Sequence, residues 1–167
     1  MRILAIDHGT RSGFSYFVNN KYTYSGVILL KDIKELREAQ KSFYELFQIY
    51  KPEVVVLEKI NVAGTKFGGD NVIKLAQLQA IIIAIAQNYN CKIIYVNPTS
   101  MKKHITGNGR AEKREVAMHI AKKWHLNPDH ICVPQYYKLK KGVKCYEADE
   151  SDAIALGTYA METMLNM

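Results

Sequence analysis

An uninterrupted aliphatic segment, residues 54–57 (VVVL), constrains the fold of this chain more than any other feature of its sequence. A strand with one exposed face alternates apolar and polar residues, whereas a continuous aliphatic run is typical of a parallel strand covered on both faces. Because parallel strands are joined by crossover connections, usually helical, this segment favours an α/β protein. The run ends at an acid, Glu58.

The remaining pattern supplies neighbours for that strand. Short aliphatic runs predict strands at Arg2–Asp7 and Lys92–Val96, and the pair Asn19-Asn20, which tolerates the positive φ of a tight turn, predicts a hairpin. The two strands of the hairpin are predicted at residues 13–18 and 22–30. The main helices are predicted at residues 32–51, with Asp32 as N-cap, and at residues 71–87, 111–124 and 149–165. Mobile loops are predicted at residues 61–70 and 134–146. This order predicts a mixed five-stranded sheet with helices on both faces.

Length and charge limit the classes of function. A chain of 167 residues, 48% of them hydrophobic, can bury one sizeable core and predicts a single domain over residues 1–167. The formal net charge is +7, and residues 101–146 alone carry 11 Lys or Arg against 3 Asp or Glu. A basic segment of this kind favours a polyanionic partner.

Cysteine usage and hydropathy indicate the compartment. Cys91, Cys132 and Cys145 are odd in number and lack CxxC spacing, which favours neither a complete disulfide framework nor a zinc knuckle and suits a reducing cytosol. The first residues have the pattern of a core strand rather than a signal peptide, and no apolar run approaches the length of a membrane span. We therefore expect a cytoplasmic protein with no membrane partner.

Four acids carry the chemical signal. Asp7 and Glu58 end buried strands, where an ionised carboxylate is costly unless something compensates it, and the carboxyl ends of strands are where α/β proteins build sites. Asp149 and Asp152 lie three apart at the start of a helix, so their side chains share one face. Four carboxylates without a His or Cys cluster indicate Mg²⁺ or Mn²⁺ rather than zinc.

Each of these features also has a structural explanation. An Asp-x-Gly-Thr turn can join two strands or bind phosphate, an acid after a hydrophobic strand is often its first solvated residue, and acids in the first turn of a helix complement its dipole. The conjunction of all three, each at the end of a buried element, is what favours a metal site.

The segments ILAIDHGTRSGFSYF, VVVLEKI, VNPTSMKKHITGNGRAEKREVAMHI and EADESDAIALG together resemble the RuvC family of Holliday junction resolvases, over nearly the whole chain. The third segment carries the most specific match, at Pro98, Lys102, Gly107, Gly109, Ala111 and Lys113. The resemblance implies an RNase H-like fold with catalytic metal ligands at Asp7, Glu58, Asp149 and Asp152. Glu147 and Glu150 compete with Asp149 for the third position.

The resemblance also implies the reaction. It is hydrolysis of phosphodiester bonds in Holliday junctions and related branched DNA, with two Mg²⁺ ions per site, Mn²⁺ able to substitute, and Lys113 in a catalytic role at the phosphate. A junction is nearly two-fold symmetric, so paired cuts require two sites related by a two-fold axis, in a homodimer. The helix at residues 71–87 has enough apolar surface for both core and partner, although core packing alone also explains it. The residues assigned to DNA binding are Lys102, Lys103, Arg110, Lys113, Arg114, Phe67, Lys138, Lys140 and Lys141.

Two departures from the family pattern stand out. After Glu58 the usual bacterial members have Gln and then an aromatic that wedges into the junction, whereas here Lys59, Ile60 and Asn61 follow, so Phe67 is the nearest candidate wedge. The basic segment at residues 134–146 is longer than in cellular members and suggests a phage-type relative, in a bacterium or phage-infected cell. Two alternatives remain: an RNase H-like nuclease of structured RNA, and a junction-binding protein without catalysis.

Overall fold

The computed structural model describes residues 1–30, 36–60, 69–140 and 143–165, with the backbone alone at 69–71, 136–140 and 143–145. The strands are β1 (Arg2–Asp7), β2 (Arg11–Val18), β3 (Lys21–Leu29), β4 (Val54–Glu58), β5 (Lys92–Val96), β6 (Val133–Lys140) and β7 (Val143–Glu147). The helices are α1 (Leu36–Tyr50), α2 (Gly69–Asn88), α3 (Pro98–Thr106), α4 (Lys113–Trp124), α5 (Pro128–Ile131) and α6 (Asp149–Thr163).

The main sheet has five strands in the order β3-β2-β1-β4-β5. β1, β4 and β5 run parallel to one another, while β2 and β3 form the antiparallel meander, turned at Asn19 and Asn20 with φ of 50° and 63°. The predicted mixed five-stranded α/β fold is confirmed. The continuous aliphatic run of β4 lies between β1 and β5 in this sheet and is buried, as its composition requires.

Helices cover both faces of the sheet, and each face has its own core. Ile3 and Ala5 of β1 pack with α3, α4, α5 and α6, whereas Leu4 and Ile6 pack with α1 and α2. Because side chains of a strand alternate between faces, Asp7 follows Ile3 and Ala5 and lies on the α4 and α6 side. None of the helices in the described ranges is long and apolar enough to cross a bilayer.

Several predicted boundaries change. The expected loop at residues 134–146 is wrong: β6 and β7 form a two-stranded antiparallel sheet there, because its tyrosines, valine and cysteine favour extended structure more strongly than its lysines oppose it. Helix α3 was not predicted. Asn97 caps it by accepting hydrogen bonds from the backbone N–H groups of Thr99 and Ser100, and Pro98 occupies its first turn. The proposed N-cap Asp32 and residues 61–68 of the other expected loop lie outside the described residues, and residues 69–70 already belong to α2.

Candidate active site

Asp7 and Glu58 come together because their strands are neighbours. β1 and β4 pair in parallel with Ile6 opposite Leu57, so the two acids are the next residues of adjacent strands at the carboxyl edge of the sheet. Both side chains are half-buried. The backbone of Glu58 is fixed from α2, where the Gln79 side chain donates from Nε2 to the Glu58 carbonyl oxygen at 2.9 Å.

Helix α6 brings the other two acids to the same edge. Its first turn contains Asp149 and Asp152, and its start lies against β2 at Gly13, where even a methyl group would overlap the Asp149 carbonyl. One turn further on, the buried Ser15 hydroxyl donates to the Ala153 carbonyl oxygen at 2.7 Å. Since Gly13 pairs with Asp7 in the sheet, this contact places the first turn of α6 beside Asp7.

The electrostatics show that the four acids share one site. Burial, and then the charges of Asp152, Glu58 and Asp149, raise the pKa of Asp7 well above its usual value. Burial and Asp152 likewise raise the pKa of Glu58, and burial raises that of Asp152. Without a compensating cation, ionised carboxylates so placed destabilise one another.

Two lysines offset part of this negative charge. Lys113, the first residue of α4, places Nζ 3.1 Å from Oδ2 of Asp152. Burial alone lowers the pKa of Lys113, but Asp152, Asp7 and Asp149 outweigh it and the pKa is raised. Lys102 of α3 lies close enough to oppose the burial that raises the pKa values of Glu58 and Asp152. Both lysines predicted for the site therefore lie beside the acids.

Asp149 and its acidic neighbours Glu147 and Glu150 bind side chains of β2 and β3. The Oδ2 atom of Asp149 accepts a hydrogen bond from Arg11 Nε at 2.9 Å, and Arg11 Nη2 lies 3.0 Å from Oε2 of Glu147. Glu150 accepts a hydrogen bond from the Ser25 hydroxyl of β3 at 2.5 Å. Asp149 and the two acids that compete with it in the sequence thus each have a partner outside the cluster formed by Asp7, Glu58 and Asp152.

The donor set suits a hard divalent cation. It consists of carboxylate oxygens, the ligands that Mg²⁺ and Mn²⁺ prefer, and the crowding that raises the pKa of Asp7 is what such a cation relieves. Within the described ranges no three His, Cys, Asp or Glu side chains are already arranged around a metal position. Asp152 and Asp149 instead face the cationic groups of Lys113 and Arg11.

Comparison with known proteins decides the family. The model of the family "Crossover junction endodeoxyribonuclease RuvC" matches residues 3–158. The chain belongs to the RuvC family. The RuvC of Aliarcobacter butzleri (strain RM4018) is 31% identical over 165 residues, covering 93% of this chain and 96% of the relative.

Solved structures share the fold over the full length. The Thermus thermophilus RuvC structure matches with a TM-score of 0.71 at 18% identity, and the match covers 99% of this chain and 97% of the Thermus chain. The Fowlpox virus resolvase in complex with Holliday junction DNA has a TM-score of 0.60 at 22% identity, covering 99% of each chain. These likenesses place the RuvC-family chain in the RNase H-like fold predicted for it.

The residues predicted to bind DNA differ in their exposure and in their contacts in this RuvC-family chain. Lys103 and Arg110 are exposed and make no ion pair with any described residue. The Arg114 guanidinium is engaged, donating to the carbonyl oxygens of Pro128 and Cys132 and pairing with Asp129. Lys138 and Lys140 are described only by their backbone in β6, and Phe67 and Lys141 lie outside the described residues. Their DNA contacts stay predictions.

Sequence reasoning missed two residues of this region. Arg11 has no local signal, because its carboxylate partner is 138 positions away. His8, next to Asp7, is buried, and neither ring nitrogen has a hydrogen-bond partner among the described residues. Burial lowers its pKa to about 4, so His8 is neutral at physiological pH.

Proposed function

We propose that this RuvC-family chain is a metal-dependent, structure-selective endonuclease that resolves four-way DNA junctions and related branched DNA by paired nicks. One observation carries the proposal: Asp7 and Glu58 end adjacent parallel strands, and α6 brings Asp149 and Asp152 beside them. Burial, and then the charges of these neighbouring acids, raise the pKa of Asp7. Carboxyl groups whose pKa is raised by burial and by neighbouring negative charges are characteristic of functional sites. We propose that a single domain over residues 1–167 carries the activity.

Asp7, Glu58, Asp149 and Asp152 are the residues we assign to holding the metal. Asp7 is central, since burial and then the other three carboxylates raise its pKa, and it would hold the metal together with them. Two bound Mg²⁺ ions, or Mn²⁺ in their place, would supply Lewis-acid activation of the attacking water and of the leaving 3′ oxygen.

Lys113 and Lys102 are assigned to the scissile phosphate. The Lys113 side chain is 54% exposed although its Nζ bonds Asp152, so its flexible stem can also reach a phosphate above the carboxylates. A positioned ammonium stabilises the charge that develops on the phosphoryl oxygens in the transition state. Lys102, one turn into α3, supplies a second positive charge near Glu58.

The basic residues outside the site are assigned to the DNA arms. Lys103 and Arg110 are exposed near Lys102, and β6 and β7 carry Lys138, Lys140 and Lys144 on a hairpin that leads directly into Asp149. Phosphate contacts of this kind make binding steeply dependent on salt. A hairpin that ends at a metal ligand is suitably placed to contact the DNA next to the cut.

Helix α2 is the surface we assign to a second copy of the chain. Leu78, Ile82 and Ile85 bury one face in the core, while the opposite face exposes Ile73, 57% accessible, together with Ala76, Ala80 and Ala84. Small and apolar residues repeating every three to four positions allow two helices to approach closely. A homodimer would give the two active sites that paired nicks require.

Relatives support this proposal. The Thermus thermophilus RuvC and the Fowlpox virus resolvase have each been solved with Holliday junction DNA, and both share the fold of this chain. The Aliarcobacter butzleri relative, which matches nearly full length, is a crossover junction endodeoxyribonuclease. Such an enzyme works where DNA recombines, and we propose the cytoplasm of a bacterium or of a phage-infected cell.

The decisive test compares substrates with and without metal. The protein is incubated with a synthetic four-way junction, a linear duplex and an RNA/DNA hybrid, each with Mg²⁺, Mn²⁺ or EDTA. We expect paired nicks in the junction that require metal, and Asp152→Asn should bind the junction without cutting it. Glu162→Gln, at the other end of the same helix, is the matched control and should cut like wild type.

Other results would contradict the proposed nuclease function or the proposed role of Asp152. Cutting of the RNA/DNA hybrid in preference to the junction would indicate an RNA-directed nuclease. Junction binding without nicks in any metal would indicate a binding protein whose acids serve structure. Nicking by Asp152→Asn at the wild-type rate would exclude that residue as a ligand.

A further inference from the structure

Arg11 joins two acids that flank the start of α6. Its Nε donates to Oδ2 of Asp149 at 2.9 Å and its Nη2 lies 3.0 Å from Oε2 of Glu147. The two contacts use different nitrogen atoms of one rigid guanidinium group. Arg11 is the first residue of β2, in the turn that follows Asp7, so it connects the strand that carries Asp7 to the helix that carries Asp149.

The start of α6 lacks a local device that would fix Asp149. Ala148 occupies the N-cap position and no side chain caps the helix, although three of the first four residues are acidic. N-terminal turns without a cap leave backbone N–H groups unsatisfied and fray more easily. Within the described part of the chain, Arg11 is the side-chain partner of the Asp149 carboxylate. The orientation of Asp149 therefore depends on β2.

Arg11 differs from Lys113, which pairs with Asp152 at the same site. Lys113 makes one ion pair, with Asp152, and its side chain is 54% exposed, which leaves it free to move to a phosphate. The Arg11 side chain is 33% exposed and is held by carboxylates at two points. Moving it would break a charge-assisted hydrogen bond to Asp149 and an ion pair with Glu147. These two contacts hold the Arg11 side chain in a fixed position.

We infer that Arg11 is a positioning residue, which holds Asp149 by one oxygen so that the other oxygen serves the divalent cation, and which keeps Glu147 out of the ligand set. The inference rests on the proposed function, since it concerns the same metal site. Residues that hydrogen-bond a ligating carboxylate tune metal affinity in this way, and their loss typically weakens binding about 10–100-fold. Arg11 also ties the end of β7 to the site through Glu147, so the basic hairpin and the ligand Asp149 share one anchor.

The test measures binding of Mn²⁺ alone, by electron paramagnetic resonance of the free ion, to the purified full chain. Arg11→Ala should bind Mn²⁺ about 10–100-fold more weakly than wild type, and Arg11→Lys, which keeps the charge but not the fork, should fall between them. Arg2→Ala is the matched control: Arg2 also pairs with a carboxylate, Glu53, but at the opposite end of the sheet, and its loss should leave Mn²⁺ affinity unchanged. Glu147→Gln should likewise keep wild-type affinity.

Junction nicking adds a second readout. For Arg11→Ala, we expect the Mn²⁺ concentration that gives half-maximal nicking to rise, while the rate at saturating Mn²⁺ recovers to within about ten-fold of wild type. Lys113→Ala should show the reverse, with a low rate that added metal does not restore. A general loss of structure would lower the saturating rate and the thermal midpoint together.

The outcomes separate this inference from the proposed function. Mn²⁺ affinity of Arg11→Ala equal to or tighter than wild type would overturn it, as would loss of affinity in Glu147→Gln but not in Asp149→Asn. Should Arg11→Ala fail to fold, Arg11→Gln is measured against the same criteria. If wild type binds Mn²⁺ and Asp7→Asn does not, the proposed site stands whatever Arg11 does; if neither binds it, the proposed function fails.

Discussion

The backbone of Gly13 lies directly against the carbonyl group of Asp149, so that β2 and the first turn of α6 touch without an intervening side chain. A second close contact occurs further along the same interface, where the ring of Phe17 fills the space that a side chain at Gly157 would need. Together these two glycines set the distance between α6 and the sheet, and therefore the distance between Asp149 and Asp7.

The first prediction follows from this contact. Gly13→Ala introduces a methyl group that only a shift of α6 can accommodate, since the atoms it meets are backbone. We expect a loss of stability of about 1–3 kcal/mol and loss of metal-dependent nicking. Urea unfolding and junction cleavage measure the two effects. Gly26→Ala on β3 is the control, because its methyl group meets the ring of Phe14, which can move; equal loss of nicking in both variants would contradict the prediction.

The second prediction uses the raised pKa of Asp7, whose causes are burial and then Asp152 and Glu58. The native state binds the Asp7 proton more tightly than the unfolded chain, so this group lowers stability as pH rises from the ordinary value of 3.8 toward the folded pKa. In EDTA at about pH 8, Asp7→Asn should therefore exceed wild type in stability by about 0.5–2 kcal/mol. The gain should shrink as pH is lowered toward 4.

Urea unfolding at several pH values measures this difference. Saturating Mn²⁺ should stabilise wild type more than Asp7→Asn, because only the native wild-type site binds the ion fully. Equal stability of the two proteins across the pH range would contradict the crowding of carboxylates around Asp7.

The parts of the site that follow from local sequence were predictable. Asp7 and Glu58 are visible as acids that end aliphatic runs, whereas the pairing of their strands, which brings them together, is seen only in the structure. The assignment of Asp149 rather than Glu147 or Glu150 to the metal stays a prediction. The contacts of these acids with Arg11 and Ser25 cannot be foreseen from sequence, because the partners are more than a hundred positions apart. The basic segment before α6 was taken for a loop because its lysines mask the extended pattern of β6 and β7.

The third prediction concerns the far end of α6, where Glu162 pairs with Lys123 and His104. Burial alone raises the pKa of Glu162, but hydrogen bonds from these two residues outweigh it and the pKa is lowered. The pair therefore adds stability above the ordinary value of 4.5, and this stability is lost as pH falls through the folded pKa. Since both partners remain over a third exposed, we expect Glu162→Gln to cost only about 0.5–1 kcal/mol near pH 7.

The measurement is urea unfolding of wild type and Glu162→Gln at pH 7 and at successively lower pH, where the difference should shrink as the Glu162 carboxylate becomes protonated. Glu45→Gln, an exposed acid on α1 that makes no ion pair with a described residue, controls for the loss of a negative charge. A difference that persists at the lower pH would show that Glu162 acts through packing rather than charge.

The fourth prediction assigns different roles to Arg110 and Arg114, both of which the sequence analysis assigned to DNA binding. Arg114→Ala removes the guanidinium that donates to the carbonyl oxygens of Pro128 and Cys132 and pairs with the Asp129 carboxylate, and should cost about 1–3 kcal/mol of stability. Arg110→Ala removes an exposed cation, so it should leave stability unchanged, weaken junction binding and lower the salt slope by about one. Fluorescence anisotropy across salt concentrations and urea unfolding test both; unchanged stability with weakened binding in Arg114→Ala would make it a DNA contact instead.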